Sequence, residues 1–121
     1  MSIEINRIVK LFEDLQHGDC WIGNNFKETL HGITAAKTAA TGPVGGNSIW
    51  QLTNHIIYWR TTVVNRLTEA AYHSLRTALH TIKDEQLDKL TIRKDQTFYQ
   101  LIMGCLQHDA YHLGQIMLLK K

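Results

Sequence analysis

The chain has 121 residues, 44% of them hydrophobic and 20% charged, enough for one packed core and too few for two. Thirteen Lys and Arg against eleven Asp and Glu leave a formal charge of +2, and the basic residues are scattered rather than gathered into the stripe that phosphate contacts require. This composition excludes a wholly disordered chain and argues against a nucleic-acid partner.

Apolar residues recur at spacings of three and four, which predicts an all-α chain. The first helix is expected over 3–16, with Ile5, Ile8, Phe12 and Leu15 on one face. Gly18 then serves as a C-cap and Asp19 as an N-cap for a second helical piece over 20–31 carrying Trp21, Phe26 and Leu30. Gly32 ends that piece, and Thr34 caps a short turn before the Gly/Pro loop at 41–47. Ser48 and Gln51 form a capping box for the next helix, which runs to about Leu67 on Leu52, His55, Ile56, Trp59 and Val63. A third principal helix is expected over 69–87 on Ala71, Leu75, Leu79 and Ile82. Thr97 and Gln100 open the last helix, whose inward stripe is Leu101, Cys105, His108, His112, Gln115 and Leu119. Four principal helices in one domain make a four-helix bundle, an architecture that builds metal and cofactor sites from facing helices.

No apolar h-region follows Met1, and no run approaches the roughly 20 residues that span a bilayer. Cys20 and Cys105 fit neither a disulfide framework nor a CxxC motif. A cytoplasmic protein with free thiols and no membrane partner is therefore expected.

The unusual count is seven histidines. His108 and His112 lie four apart on the last helix, so both imidazoles can reach one ion. Taken alone, that spacing equally fits one buried, hydrogen-bonded histidine and one at the rim. His55 adds a third, on the core stripe of another helix between Leu52 and Trp59. Three imidazoles on inner faces are costly to bury without a shared partner. A divalent ion is such a partner, and three protein ligands leave a position open for chemistry. The alternative is three core histidines, each satisfied separately. His17 and His31 sit at helix ends, where His⁺ suits the dipole, and His73 and His80 face solvent. Cys105 reads as a small core residue. Asp109 and Tyr111 are rotated away from the His108/His112 face, which leaves Asp109 behind a ligand or on the surface. Gln115 is placed to contact a bound group. Trp50, Tyr58 and Trp59 read as packing residues, with Trp59 a pocket wall.

Two segments carry a resemblance: residues 47–60, Asn-Ser-Ile-Trp-Gln-Leu-Thr-Asn-His-Ile-Ile-Tyr-Trp-Arg, and residues 106–116, Leu-Gln-His-Asp-Ala-Tyr-His-Leu-Gly-Gln-Ile. With Gly18-Asp19 and Trp21 near the first helix, they make the chain resemble the DinB family of the DinB/YfiT-like superfamily of metal-binding proteins. The resemblance extends over essentially the whole chain and is most specific at His55 combined with HxxxH-Leu-Gly-Gln. It implies a bundle in up-down-down-up order and one divalent transition metal on His55, His108 and His112, with zinc or nickel first and iron, cobalt or manganese as alternatives. It further implies a homodimer acting as a transferase that joins a low-molecular-weight thiol (bacillithiol, mycothiol or glutathione) to small electrophiles. The competing function is a non-catalytic, stress-associated metal-binding module. No acid or base residue is identified. Up-down-down-up order makes the second and third principal helices parallel, and a helix of about 20 residues needs a return of roughly 30 Å, at least eight to ten extended residues. The segment 65–70 is too short for that, so a crossover segment is expected to be missing near Thr68 and Glu69.

Overall fold

The computed structural model describes residues 3–42, 45–68 and 75–120. It is all-α: among these residues there is no strand, only isolated bridges between Gly42 and Gly45 and between Leu90 and Thr97.

Helix α1 (Ile3–His17) buries Ile5, Ile8, Val9, Phe12 and Leu15, the face its apolar spacing predicts. Its first amides are capped from far along the chain. Asp84 Oδ2 accepts from Glu4 N at 3.2 Å, and Asp84 Oδ1 accepts from Ile5 N at 3.1 Å. One carboxylate thus satisfies two donors that the helix leaves open, next to its positive dipole end. At the other end, Gly18 N donates back to the carbonyls of Glu13 and Asp14. A Cβ there would lie 2.9 Å from Asp14 Cα, so the tight exit requires glycine.

Residues 20–31 do not form the single helical piece expected. Turns precede α2 (Phe26–Leu30), and Gly23 adopts φ 122°, which a helix cannot continue through. The cap is Asn25 rather than Asp19: its Oδ1 accepts from Glu28 N at 2.8 Å, while its Nδ2 donates to Gly18 O at 2.9 Å. Trp21, which the expected helical piece would carry, lies in the turns before α2 and is 92% exposed. Gly32 (φ 70°) ends this unit, and Thr34 caps α3 (Ala35–Ala39) by accepting from Lys37 N at 3.1 Å.

Both long helices start as predicted. At α4 (Ile49–Thr68), Ser48 N donates to Gln51 Oε1 at 2.8 Å and Gln51 N donates to Ser48 Oγ at 3.2 Å. At α6 (Phe98–Lys120), Thr97 and Gln100 repeat the exchange at 2.9 and 3.1 Å. The third principal helix is the main correction. Within the described residues it is α5 (Leu75–His80), and it does not reach Leu87. Thr81 N and Ile82 N fold back on Ala78 and Leu79, and a 3₁₀ turn follows at Asp84–Gln86. The break turns Asp84 toward α1, while Leu79, Ile82 and Leu87 stay buried. Ala71 and the connection at 69–74 lie outside the described residues, and so does the crossover expected to be missing there.

The core falls into two clusters. One joins Ile5, Ile8 and Phe12 to Val63 and Leu67, to Leu79 and Ile82, and to Leu101, Ile102 and Cys105. The other joins Leu15 and Phe26 to Ile49, Leu52 and Ile56, and to Leu113 and Ile116. The start of α4 therefore meets the end of α6, and the two run antiparallel, bringing position 55 opposite positions 108 and 112. No helix among the described residues is long and apolar enough to cross a membrane.

An Asp84→Ala variant should lose about 0.5–2 kcal/mol of stability in urea denaturation, the range for losing a helix cap. Thr34→Ala, which uncaps the short α3 with no buried residue of its own, should lose less. Equal losses would contradict a tertiary cap on α1.

Candidate metal centre

His55 comes from the first half of α4, and His108 and His112 from successive turns of α6. Their rings converge. His108 Nε2 lies 2.9 Å from His55 Nε2 and 3.1 Å from His112 Nε2. One ligand atom from each of the three lies within 4.8 Å of the others. At the usual metal–imidazole distance of about 2.0–2.1 Å, the two pairs that include His108, 2.9 and 3.1 Å apart, can share an ion as they stand, while ligand atoms as far apart as 4.8 Å must close to about 4.2 Å to do the same. The three histidines could hold a metal ion.

Proton accounting supports this. His112 Nδ1 lies 2.5 Å from Gln115 Oε1; an amide oxygen only accepts, so the proton belongs on Nδ1 and Nε2 keeps its lone pair. His108 Nδ1 faces Asp109 Oδ1 at 3.6 Å, and both atoms are buried without a hydrogen-bond partner. A carboxylate also only accepts, so a proton on Nδ1 would meet the acceptor beside it and leave Nε2 a lone pair. Two such lone pairs 3.1 Å apart would repel, and a cation between them would satisfy both.

The site does not lie in the core as expected. His55 is exposed and the other two are half-buried. The buried stripe of α6 is Leu101, Ile102, Cys105, Asp109, Leu113 and Ile116, so the helix is rotated from the predicted stripe and the histidines flank the core. Asp109, neither turned away from the interior nor on the surface, is 0% exposed. It pairs with Arg60: Arg60 Nε donates to Asp109 Oδ2 at 2.6 Å. Arg60 also donates through Nη1 to Gln16 Oε1 at 3.1 Å and lies over the Phe26 ring at 5.5 Å. Sequence reasoning missed this pair. Its one trace is the place of Asp109, four residues after Cys105 and four before Leu113, on a stripe that is otherwise apolar.

The remaining candidates divide clearly. The Trp59 ring lies 5.4 Å from the His108 ring, and the Arg66 guanidinium lies over the Trp59 ring at 5.5 Å. Gln115, expected to contact a bound group, lies with its Oε1 against His112 Nδ1, and Tyr111, exposed, packs edge-on against His112 at 5.2 Å. Cys105 is a core residue whose thiol burial pushes up to about 12, so it stays protonated and outside the cluster. Trp50 and Tyr58, expected to pack, are exposed on α4. His17 lines a pocket between α1, α4 and α5 that Arg60 shares and the three converging histidines do not. The His31 carbonyl accepts from Lys120 at 3.3 Å. His80 is exposed as expected, and His73 lies outside the described residues.

Comparison of the chain with family models, curated proteins and solved structures finds no match.

Burial pushes the pKa of His108 below its ordinary 6.5, reinforced by His112 and His55 and opposed by Asp109. A base whose pKa falls on folding binds fewer protons folded than unfolded, so stability declines as pH drops below 6.5. The same protons compete with a cation for nitrogen lone pairs. Chelator competition across pH should show tight divalent-ion binding above about pH 7 and steep weakening below about pH 6, where imidazoles protonate. A flat profile would contradict three-imidazole ligation.

Proposed function

We propose that the chain is a DinB-like divalent-metal protein that uses His55, His108 and His112 to activate a low-molecular-weight thiol for transfer to small electrophiles. The observation that carries this reading is the meeting of three Nε2 atoms, with Gln115 holding the His112 proton on the far side of its ring. When bound there, a divalent ion supplies Lewis acidity that lowers the pKa of a thiol and makes a thiolate available near neutral pH. The chain's own contribution is orientation and access. Gln115 meets the far side of His112, Trp59 and Tyr111 flank the rings, and His55 is exposed to solvent.

Up-down-down-up order belongs to the same proposal. Its support is the run of contacts between α1 and the segment after 75: Arg76 Nε to Glu13 Oε1 at 2.8 Å, then Asp84 to the amides of Glu4 and Ile5. Those pairs support a third principal helix that runs antiparallel to α1, as up-down-down-up order requires. A non-catalytic metal-binding module is favoured by one feature. The nearest carboxylate, Asp109, is buried against Arg60 and is not available to move a proton at the open side.

Purified protein should carry about one equivalent of a divalent ion, as one three-histidine site holds. His55→Ala and His112→Ala should lose it while keeping their helical circular dichroism; unchanged metal content would refute the ligand set. Metal-loaded protein should conjugate a model electrophile with at least one member of a panel of low-molecular-weight thiols. Silence across the panel would leave the non-catalytic reading.

A further inference from the structure

We infer that Asp109, clamped by Arg60, is the positioning residue of the metal centre: it holds the Nδ1 proton of His108 and so aims His108 Nε2 at the ion. The inference rests on the three-histidine reading of the site and adds to it the residues that set its geometry.

A carboxylate has two acceptor oxygens, and here they face two different donors. Oδ2 takes the Arg60 Nε–H at 2.6 Å, while Oδ1 is directed at His108 Nδ1, 3.6 Å away. That separation exceeds a hydrogen bond, and an approach of roughly 0.7 Å brings it to the usual length. Neither Oδ1 nor Nδ1 has another partner, and both are buried. Two orphaned, complementary atoms side by side in the interior are costly apart and satisfied together. Asp109 itself is fully buried, which is expensive for an anion without fixed donors. Arg60 supplies the counter-charge and cannot lose its own proton. It is in turn anchored to α1 through Gln16 and stacked on Phe26 of α2. The orientation of His108 therefore depends on three other helices. A carboxylate that accepts the far proton of a ligating imidazole makes the near nitrogen a better and better-aimed ligand.

Asparagine tests this sharply, because an amide has one acceptor oxygen and cannot serve both donors. Asp109→Asn should weaken zinc and cobalt(II) binding, read by chelator competition, about 10–100-fold, the usual cost of losing such an outer partner. It should also change the visible spectrum of the cobalt(II) protein and abolish the downfield His108 Nδ1–H proton resonance of the zinc-loaded form. Arg60→Gln should weaken the metal in the same direction. Gln115→Leu should also weaken zinc binding but leave the His108 resonance in place. A merely structural Asp109 would behave differently: Asp109→Asn would lower the melting temperature while zinc affinity and the cobalt spectrum of the folded protein stayed unchanged, and that result overturns the inference. If Asp109→Asn proves too unstable to purify, the zinc-loaded unaltered protein still decides. Its downfield His108 Nδ1–H resonance supports the inference, and a proton on no His108 Nδ1 overturns it. Failure of the unaltered protein to bind zinc or cobalt(II) at all overturns the three-histidine reading and this inference together, whereas binding that ignores Asp109 overturns only the inference.

Discussion

A fully buried carboxylate on the central helix constrains much of the rest of this molecule. Asp109 sits on the core face of α6, among Cys105, Leu113 and Ile116, where an uncompensated negative charge would cost several kcal/mol. Arg60 removes most of that cost, and its reach ties α4 to α6 at mid-height. Because Arg60 also engages Gln16 and Phe26, the pair ties both long helices to the end of α1 and to α2, where the second core cluster lies. Burial raises the Asp109 pKa above the usual carboxylate value, and the Arg60 guanidinium offsets part of that rise. The 2.6 Å contact to a permanently charged partner favours the ionised form. Hydrophobic residues of similar volume would pack as well or better. What they would not supply is an acceptor oxygen beside His108.

Local rules reached the long helices because their ends are chemically explicit. Ser48 with Gln51 and Thr97 with Gln100 are reciprocal caps that need no tertiary partner, and both occur in the structure. The α1 stripe was legible for a similar reason, since one polar and one apolar face leave a single way to turn the helix. The stretch 75–87 was not. Its apolar spacing continues through Ile82 and Leu87, and both are buried, but the helix stops at His80. The competing interaction is the capping of α1 by Asp84, a contact 80 residues apart in sequence that no local pattern reveals. The piece 20–31 differs for a local reason: Gly23, at φ 122°, interrupts the helix expected to carry Trp21, and that side chain is exposed.

The three histidines were legible from spacing, and their surroundings were not. Helix α6 is apolar almost all round, with Met103, Leu106, Ala110, Met117 and Leu118 outside the buried stripe. On such a helix, spacings of three and four can be threaded through Leu101, Cys105 and His108 or through Leu101, Cys105 and Asp109 equally well. The first choice places histidines in the core and the aspartate outside, and the structure adopts the second. Electrostatics separates the two only once Arg60 is known to lie across from Asp109, which depends on the antiparallel register of α4 and α6. Of the two places the spacing leaves Asp109, on the surface or behind a histidine, burial excludes the first.

That exchange of places also bears on what the site can do. Three neutral imidazoles add no charge, and the charge of Asp109 is already matched by Arg60. A divalent ion on His55, His108 and His112 would therefore keep nearly its full charge, next to the exposed side of His55. Had the cluster been buried, that charge would carry a desolvation cost large enough to demand carboxylate ligands. At the rim the cost is smaller, and an anionic group arriving from solvent can supply the missing negative charge. A thiolate meets that requirement chemically, being a soft anionic donor that zinc and its neighbours accept. With an ion bound, the half-open placement of the histidines and the internal neutralisation of Asp109 would act together: one would admit a ligand from solvent, and the other would leave charge on the ion for it to balance.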